Sequence, residues 1–208
     1  MPTFSKRLAQ IGVVTAALVS LWLAMMLVGT SLTDRAILHL FYAGDRPMLA
    51  DLARVITLLG DGRWVTLVAI AAGLWLMRQK RLITASVLLL GTVIGRGLTE
   101  LQKFQIGRLR PDEQLHLVDT ISLSYPSGHS ANAMMTYLSL ALLVPEVRRK
   151  RWIALALVLA FAVGASRVML GVHWPSDVVG GWTYGALWTF VLVTVDQTLK
   201  RNSKTSPS

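Results

Sequence analysis

Six apolar runs punctuate the chain, at residues 11–29, 64–77, 82–95, 130–144, 152–165 and 178–195. Each predicts a helix. Crossing the hydrocarbon of a bilayer takes about 20 helical residues, and several of these runs are only 14 or 15 long. They would have to be completed by polar residues in their last turns. The alternative is a set of buried helices in a soluble protein, but six such runs leave almost no amphipathic sequence to cover them. The expectation is an all-α membrane protein with six transmembrane helices.

Between the first two runs lies a more polar stretch, 30–62. Asp45-Arg46-Pro47 reads as a helix start, with proline tolerated in the first turn. Leu49, Leu52, Val55, Ile56 and Leu59 then recur at helical spacing, with Asp51 and Arg54 elsewhere on the wheel. A packing helix at the outer interface, with no catalytic part, is expected here. The whole of 1–201 reads as one domain, and the polar tail 202–208 is expected to be disordered.

Composition agrees with this pattern. Of 208 residues, 53% are hydrophobic and 15% charged, with a mean hydropathy of +0.53, whereas soluble domains carry about a quarter charged residues. The absence of cysteine excludes a disulfide framework, a thiolate metal site and a cysteine nucleophile. A net charge of +10 would suggest nucleic acid if the bases were clustered on a soluble surface. Instead they lie between apolar runs. With the N-terminus inside, the cytoplasmic segments hold twelve bases (Lys6, Arg7, Arg78, Lys80, Arg81, Arg148, Arg149, Lys150, Arg151, Lys200, Arg201 and Lys204) against Glu146 and Asp196. The outer segments hold nine bases and nine acids. The net charge is therefore a topology signal. It predicts both termini in the cytoplasm, in a bacterial inner (plasma) membrane, and no nucleic-acid partner. Run 11–29 follows a basic segment as a signal peptide would, yet its 19 residues exceed the usual apolar region and no small-x-small site follows. A retained helix is expected.

Helical rise converts these runs into depth. Counted from the cytoplasmic ends, Arg96 lies ~21 Å across, Arg167 ~22 Å, His129 ~24 Å, Asp177 ~27 Å and Lys103 ~31 Å. Helices running in alternating directions thus place ionisable groups in one outer layer, where such groups mark a site or pathway. Arg96 is expected to pair with Glu100 along its helix, and Arg108 to contact lipid headgroups. Lys103, Arg110, His129, Arg167, His173 and Asp177 combine three cations, two histidines and one carboxylate, a set that suits phosphoryl transfer.

Local chemistry supports that reading. In Ser124-Tyr-Pro-Ser-Gly-His-Ser130, Ser127 or Ser130 can cap the helix that follows, and Gly128 lets backbone approach a phosphate. Arg110 and Arg167 offer planar forks and Lys103 a point charge. His173 precedes Trp174-Pro175 and so lies on a turn; Asp177 can hold one imidazole nitrogen and leave the other as a nucleophile. His129 is available as a general acid. Spacing alone does not settle which histidine takes which role. Asp112, Glu113 and Asp119 are isolated loop acids, so neither a metal nor another cofactor is expected. His39 and His116 have no evident partner and are expected to be structural or surface residues.

Lys103-x6-Arg110-Pro111, Pro126-Ser127-Gly128-His129 and Ser166-Arg167-x5-His173-x3-Asp177 resemble, in order and spacing, the three signature motifs of the type 2 phosphatidic acid phosphatase (PAP2) family. The resemblance implies a helical core of the kind shared with vanadium-dependent haloperoxidases, although those enzymes are soluble. It implies a metal-independent lipid phosphate phosphatase in which His173 attacks phosphorus, Asp177 orients it and His129 protonates the leaving group. Lys103, Arg110, Ser127, Gly128 and Arg167 would bind phosphoryl oxygens, with Ser166 a weaker candidate. The substrates implied are phosphatidic acid, phosphatidylglycerol phosphate, undecaprenyl diphosphate or a lipid A phosphate, met at the periplasmic face. Two other functions fit less well: a lipid-to-lipid phosphotransferase, and an anion transporter, which would need ionisable groups deeper in the membrane.

Overall fold

All six apolar runs lie in helices. The structure, a computed structural model, describes residues 4–144 and 147–205. Pro145, Glu146 and the tail positions 206–208 lie outside the described residues. The helices are α1 (Phe4–Val28), α2 (Leu32–Phe41), α3 (Pro47–Thr57), α4 (Gly62–Arg78), α5 (Leu82–Ile106), α6 (Gly128–Leu143), α7 (Arg149–Met169) and α8 (Pro175–Thr205). Short 3-10 turns occupy Leu58–Gly60 and Glu113–Leu115, and no strand occurs among the described residues.

By length and apolarity α5, α7 and α8 each suffice to cross a membrane. Two bent pairs raise the number to five: α1 with α2, at 92°, and α3 with its 3-10 turn and α4, at 46°. At 16 residues, α6 is about 24 Å long. It is nevertheless the centre of the bundle, with eleven buried residues and α4, α5, α7 and α8 packed around it. Leu67, Leu90, Val93 and Val158 face outward from the surrounding helices, an apolar exterior suited to lipid.

Helices α8 and α6 pack backbone against backbone. A Cβ on Gly181 would lie 2.6 Å from the Ser127 carbonyl oxygen, and one on Gly185 would lie 2.8 Å from that of Ala131. These glycines let two helix backbones meet directly. The contact brings the first turn of α8, which carries Asp177, against the start of α6, which carries His129.

Three expectations are corrected. Segment 30–62 forms two helices, α2 and α3, where one was expected. Pro47 does open its helix, at the first position. The tail does not become irregular at Asn202, because α8 runs on to Thr205. Arg96 does not pair with Glu100: its guanidinium donates to the Gly62 carbonyl at 2.9 Å and to Thr66 Oγ1, tying α5 to the start of α4.

Candidate active site

Gly107 ends α5 in the left-handed conformation (φ +67°), its N–H bonded to the Lys103 carbonyl. The chain turns there, so Lys103 stays on the last helical turn while Arg108 and Arg110 project from the loop. At the end of α7, Gly171 (φ +73°) makes the equivalent turn and releases Val172 and His173 from the helix. Pro175 then opens α8. Asp177, third in that helix, accepts a hydrogen bond from the Trp174 N–H at 3.0 Å, the return half of a capping box. Local helix-end chemistry thus fixes where both His173 and Asp177 stand.

These loops converge. Arg110 donates from Nε to the Ser122 carbonyl (2.6 Å), and from Nη1 to the Val172 carbonyl (2.6 Å) and His173 Nε2 (3.0 Å). Lys103 Nζ and Arg110 Nη2 share Ser122 Oγ, at 3.0 and 3.2 Å. A guanidinium has donors only, so His173 Nε2 is the acceptor and the ring proton sits on Nδ1. Nδ1 faces Asp177 Oδ2 and Ser124 Oγ, both at 3.4 Å. His173 is buried on its turn. Burial, then the charges of Arg110, Arg167, Lys103 and His129, hold its pKa well below the ordinary histidine value. Both effects disfavour the protonated imidazole, whose Nε2 lone pair accepts from Arg110.

The remaining motif residues surround this pair. Ser127 caps α6, its Oγ accepting from Ser130 N–H at 3.5 Å and Ser130 Oγ at 3.0 Å. Its own N–H goes to the Asp177 carbonyl at 3.0 Å. The helical ladder of α6 starts at Ala131, which bonds the Ser127 carbonyl, so the N–H groups of Gly128 and His129 precede it and face the anion-favouring end of the dipole. Gly128 lies beside the Lys103 ammonium, which a Cβ there would approach to 3.2 Å. Arg167 is buried, with Nη1 on Thr57 Oγ1 of α3 at 2.8 Å and Nε without a partner. Ser166 gives its hydroxyl to the Val163 carbonyl at 2.6 Å, so its oxygen is turned into its own helix. His39 is exposed, and His116 contacts the Pro111 carbonyl at 3.1 Å.

Arg108 is the largest departure from expectation. It does not face headgroups. Its Nη1 donates to Asp177 Oδ1 at 2.7 Å and to Ser176 Oγ at 3.1 Å. Its Nη2 reaches the carbonyls of Met25 (2.9 Å) and Met26 (2.6 Å) in the last turn of α1. The guanidinium carbon also lies 4.3 Å from the Tyr125 ring centre. Sequence reasoning also missed Ser122, Ser124 and Thr57. Ser124 Oγ donates to Asp177 Oδ2 at 2.5 Å. Glu100, expected on Arg96, pairs with Lys103 at 3.1 Å instead. No spacing rule links Ser122 and Ser124 to a motif, and only their position between Lys103 and Pro126 offered a hint; Thr57, at the end of α3, offered none.

Known proteins resemble this chain in sequence and in fold. Residues 82–201 match the PAP2 superfamily. Phosphatidylglycerophosphatase B of Bacillus subtilis is 37% identical over 166 residues, covering 75% of this chain and 79% of that protein. An undecaprenyl-diphosphatase of Sulfolobus acidocaldarius is 32% identical over 142 residues, 66% of each chain. The crystal structure of a transmembrane PAP2-type phosphatidylglycerolphosphate phosphatase from Bacillus subtilis superposes with a TM-score of 0.83 at 30% identity, covering 90% of this chain and 98% of that one. With three motifs converging on one buried histidine inside a bundle of that shape, this chain belongs to the PAP2 superfamily.

Proposed function

We propose that the protein hydrolyses a phosphomonoester or diphosphate of a membrane lipid through a phosphohistidine on His173. One observation carries this reading: a buried imidazole whose Nε2 meets the Arg110 fork at 3.0 Å while Nδ1 faces Asp177 at 3.4 Å. A nucleophile thus has an orienting carboxylate at one ring nitrogen and a cation for the phosphoryl oxygens at the other.

In the first step the Nε2 lone pair forms the P–N bond as the P–O bond to the leaving group breaks, and His129 gives that oxygen a proton. Arg110 moves from Nε2 onto a phosphoryl oxygen, with Lys103, Arg167 and the start of α6 taking the others. In the second step water attacks phosphorus, its proton passes to His129 and the P–N bond breaks. The cations supply the charge stabilisation that a metal gives in other phosphatases, so the reaction is written without one. The names of the relatives support a lipid phosphate as substrate, with phosphatidylglycerol phosphate and undecaprenyl diphosphate as candidates.

The test is phosphate release in EDTA by the detergent-purified protein, offered phosphatidylglycerol phosphate, phosphatidic acid, undecaprenyl diphosphate and a lipid A phosphate. Release from at least one lipid, unaffected by the chelator, is expected. No release from any, or release only with added metal, would overturn the mechanism. Appearance of the phosphate on a second lipid rather than in water would make the enzyme a phosphotransferase.

The same reading sets the six helices α1, α4, α5, α6, α7 and α8 across an inner membrane, with both termini in the cytoplasm and the site outside. The charge asymmetry of the loops supports it. Because the chain has no cysteine, single cysteines can report topology. Gln114→Cys should react with an impermeant maleimide in intact spheroplasts, and Gln79→Cys only after permeabilisation. The reverse pattern would invert the topology.

A further inference from the structure

Asp34 is a buried carboxylate that the motif chemistry does not use. It lies on α2, in the segment with no predicted catalytic part, 142 residues from its principal partner. Its Oδ1 accepts from the Ser176 N–H at 2.9 Å, and its Oδ2 from Ser176 Oγ at 2.6 Å and the Thr30 N–H at 3.0 Å. Among the described residues no cation touches it directly. An anion kept out of water on three neutral donors is costly to hold, and its position suggests what it does. Ser176 Oγ has one proton, which it gives to Asp34. The hydroxyl can then only accept from its other neighbour, Arg108 Nη1, at 3.1 Å. That same Nη1 holds Asp177 Oδ1 at 2.7 Å.

We propose that Asp34 is a positioning residue for the reaction inferred above, acting through the Ser176 hydroxyl to lock Arg108 onto the carboxylate that orients His173. The arrangement is a chain of alternating charge: Asp34, the polarised hydroxyl, Arg108, Asp177, His173. Arg108 ties up Oδ1 and leaves Oδ2 for Ser124, the Trp174 N–H and the imidazole. Its charge opposes that of Asp177 at 2.7 Å, while burial and then Arg110, Arg167, Lys103 and His129 hold the His173 pKa down. Gly29 gives the guanidinium its space, because a side chain there would occupy the same volume. Three segments distant in sequence therefore meet on one arginine, the end of α1, the loop after α5 and the start of α8, and the start of α2 joins them through the Ser176 hydroxyl.

The proposal rests on the phosphohistidine reading, and a double-mutant cycle separates the two. Asp34→Asn, Ser176→Ala, Arg108→Ala and the Asp34→Asn/Arg108→Ala pair are assayed for kcat and KM on the preferred lipid phosphate, for melting temperature, and for the pH profile of kcat/KM. Asp34→Asn and Ser176→Ala should each lower kcat about ten- to a hundredfold, as small misplacements at a reacting centre do, with KM within about twofold. Ser176→Ala removes the relay hydroxyl but keeps the N–H that Asp34 holds, so it guards against a simple folding defect. In the Arg108→Ala background the Asp34 effect should vanish. The acid limb of kcat/KM should move to higher pH in Asp34→Asn, because an Asp177 carboxylate less neutralised by Arg108 makes protonation of His173 easier. Additive losses, an unmoved acid limb, or a fall in kcat that tracks only the melting temperature would overturn the positioning role. A wild type without His173-dependent phosphate release would instead overturn the reaction itself, a distinguishable result.

Discussion

His173→Ala is expected to lower phosphate release by about a thousandfold or more, the scale on which enzymes lose rate with their nucleophile. The fold should survive. His173 lies on the turn between α7 and α8, and its backbone carries none of the helical ladder. Its ring contacts are to Arg110, Ser124 and Asp177, groups that keep other partners: Arg110 retains Ser122 and the Val172 carbonyl, and Asp177 retains Arg108 and Trp174. The melting temperature should therefore move much less than the rate. Quenching wild type under alkali during turnover of a lipid carrying radiolabelled phosphate should trap label on the protein, and this label should be absent in His173→Ala. Label that persists in the variant, or turnover within tenfold of wild type, would assign the nucleophile elsewhere.

Asp177→Asn should be nearly as damaging to rate, and more so to stability. Both carboxylate oxygens receive donors: Oδ1 from Arg108, Oδ2 from Ser124, the Trp174 N–H and the His173 ring. An amide offers one acceptor oxygen and turns an NH2 toward donors on the other side. Whichever way it is placed, either Arg108 or the Ser124–Trp174 set loses its acceptor. The His173 proton is no longer held on Nδ1, and the analogous loss in a serine-protease triad costs about 10⁴-fold in kcat. A drop of about 10³- to 10⁴-fold is expected here. Breaking a buried ion pair on one side costs about 3 kcal/mol or more, so thermal unfolding should fall measurably, unlike in His173→Ala. An Asp177→Asn protein with wild-type kcat would show that the carboxylate does not orient the nucleophile.

The motif residues were legible because each depends on a short stretch of chain. Lys103 and Arg110 are set by a helix that ends at Gly107, His129 by the serine cap before it, and His173 with Asp177 by the Trp174-Pro175 start of α8. Helix periodicity and capping act over a few residues, so spacing alone carried them to one layer. Arg96 and Arg108 were misassigned for the opposite reason. An i,i+4 rule offered Glu100 as a partner, but α4 starts close enough for its first carbonyl and Thr66 to satisfy Arg96 instead. Arg108, two residues from a motif arginine, had no local partner, yet the carbonyls at the end of α1 and the carboxylate of Asp177 lie within its reach.

The sequence by itself determined the six long helices, the charge bias of the loops and the candidate phosphoryl-binding residue set. Each of these follows from residue type at a fixed local spacing, which is a property of the covalent chain. Only the tertiary structure decided that segment 30–62 enters the site twice, through Thr57 on Arg167 and Asp34 on Ser176. It alone decided that Arg108 holds the Asp177 carboxylate. Those contacts join buried polar groups more than a hundred residues apart in two cases. Their partners are selected by which donors and acceptors the packing of α6 against α8 leaves unsatisfied, a quantity no local pattern encodes.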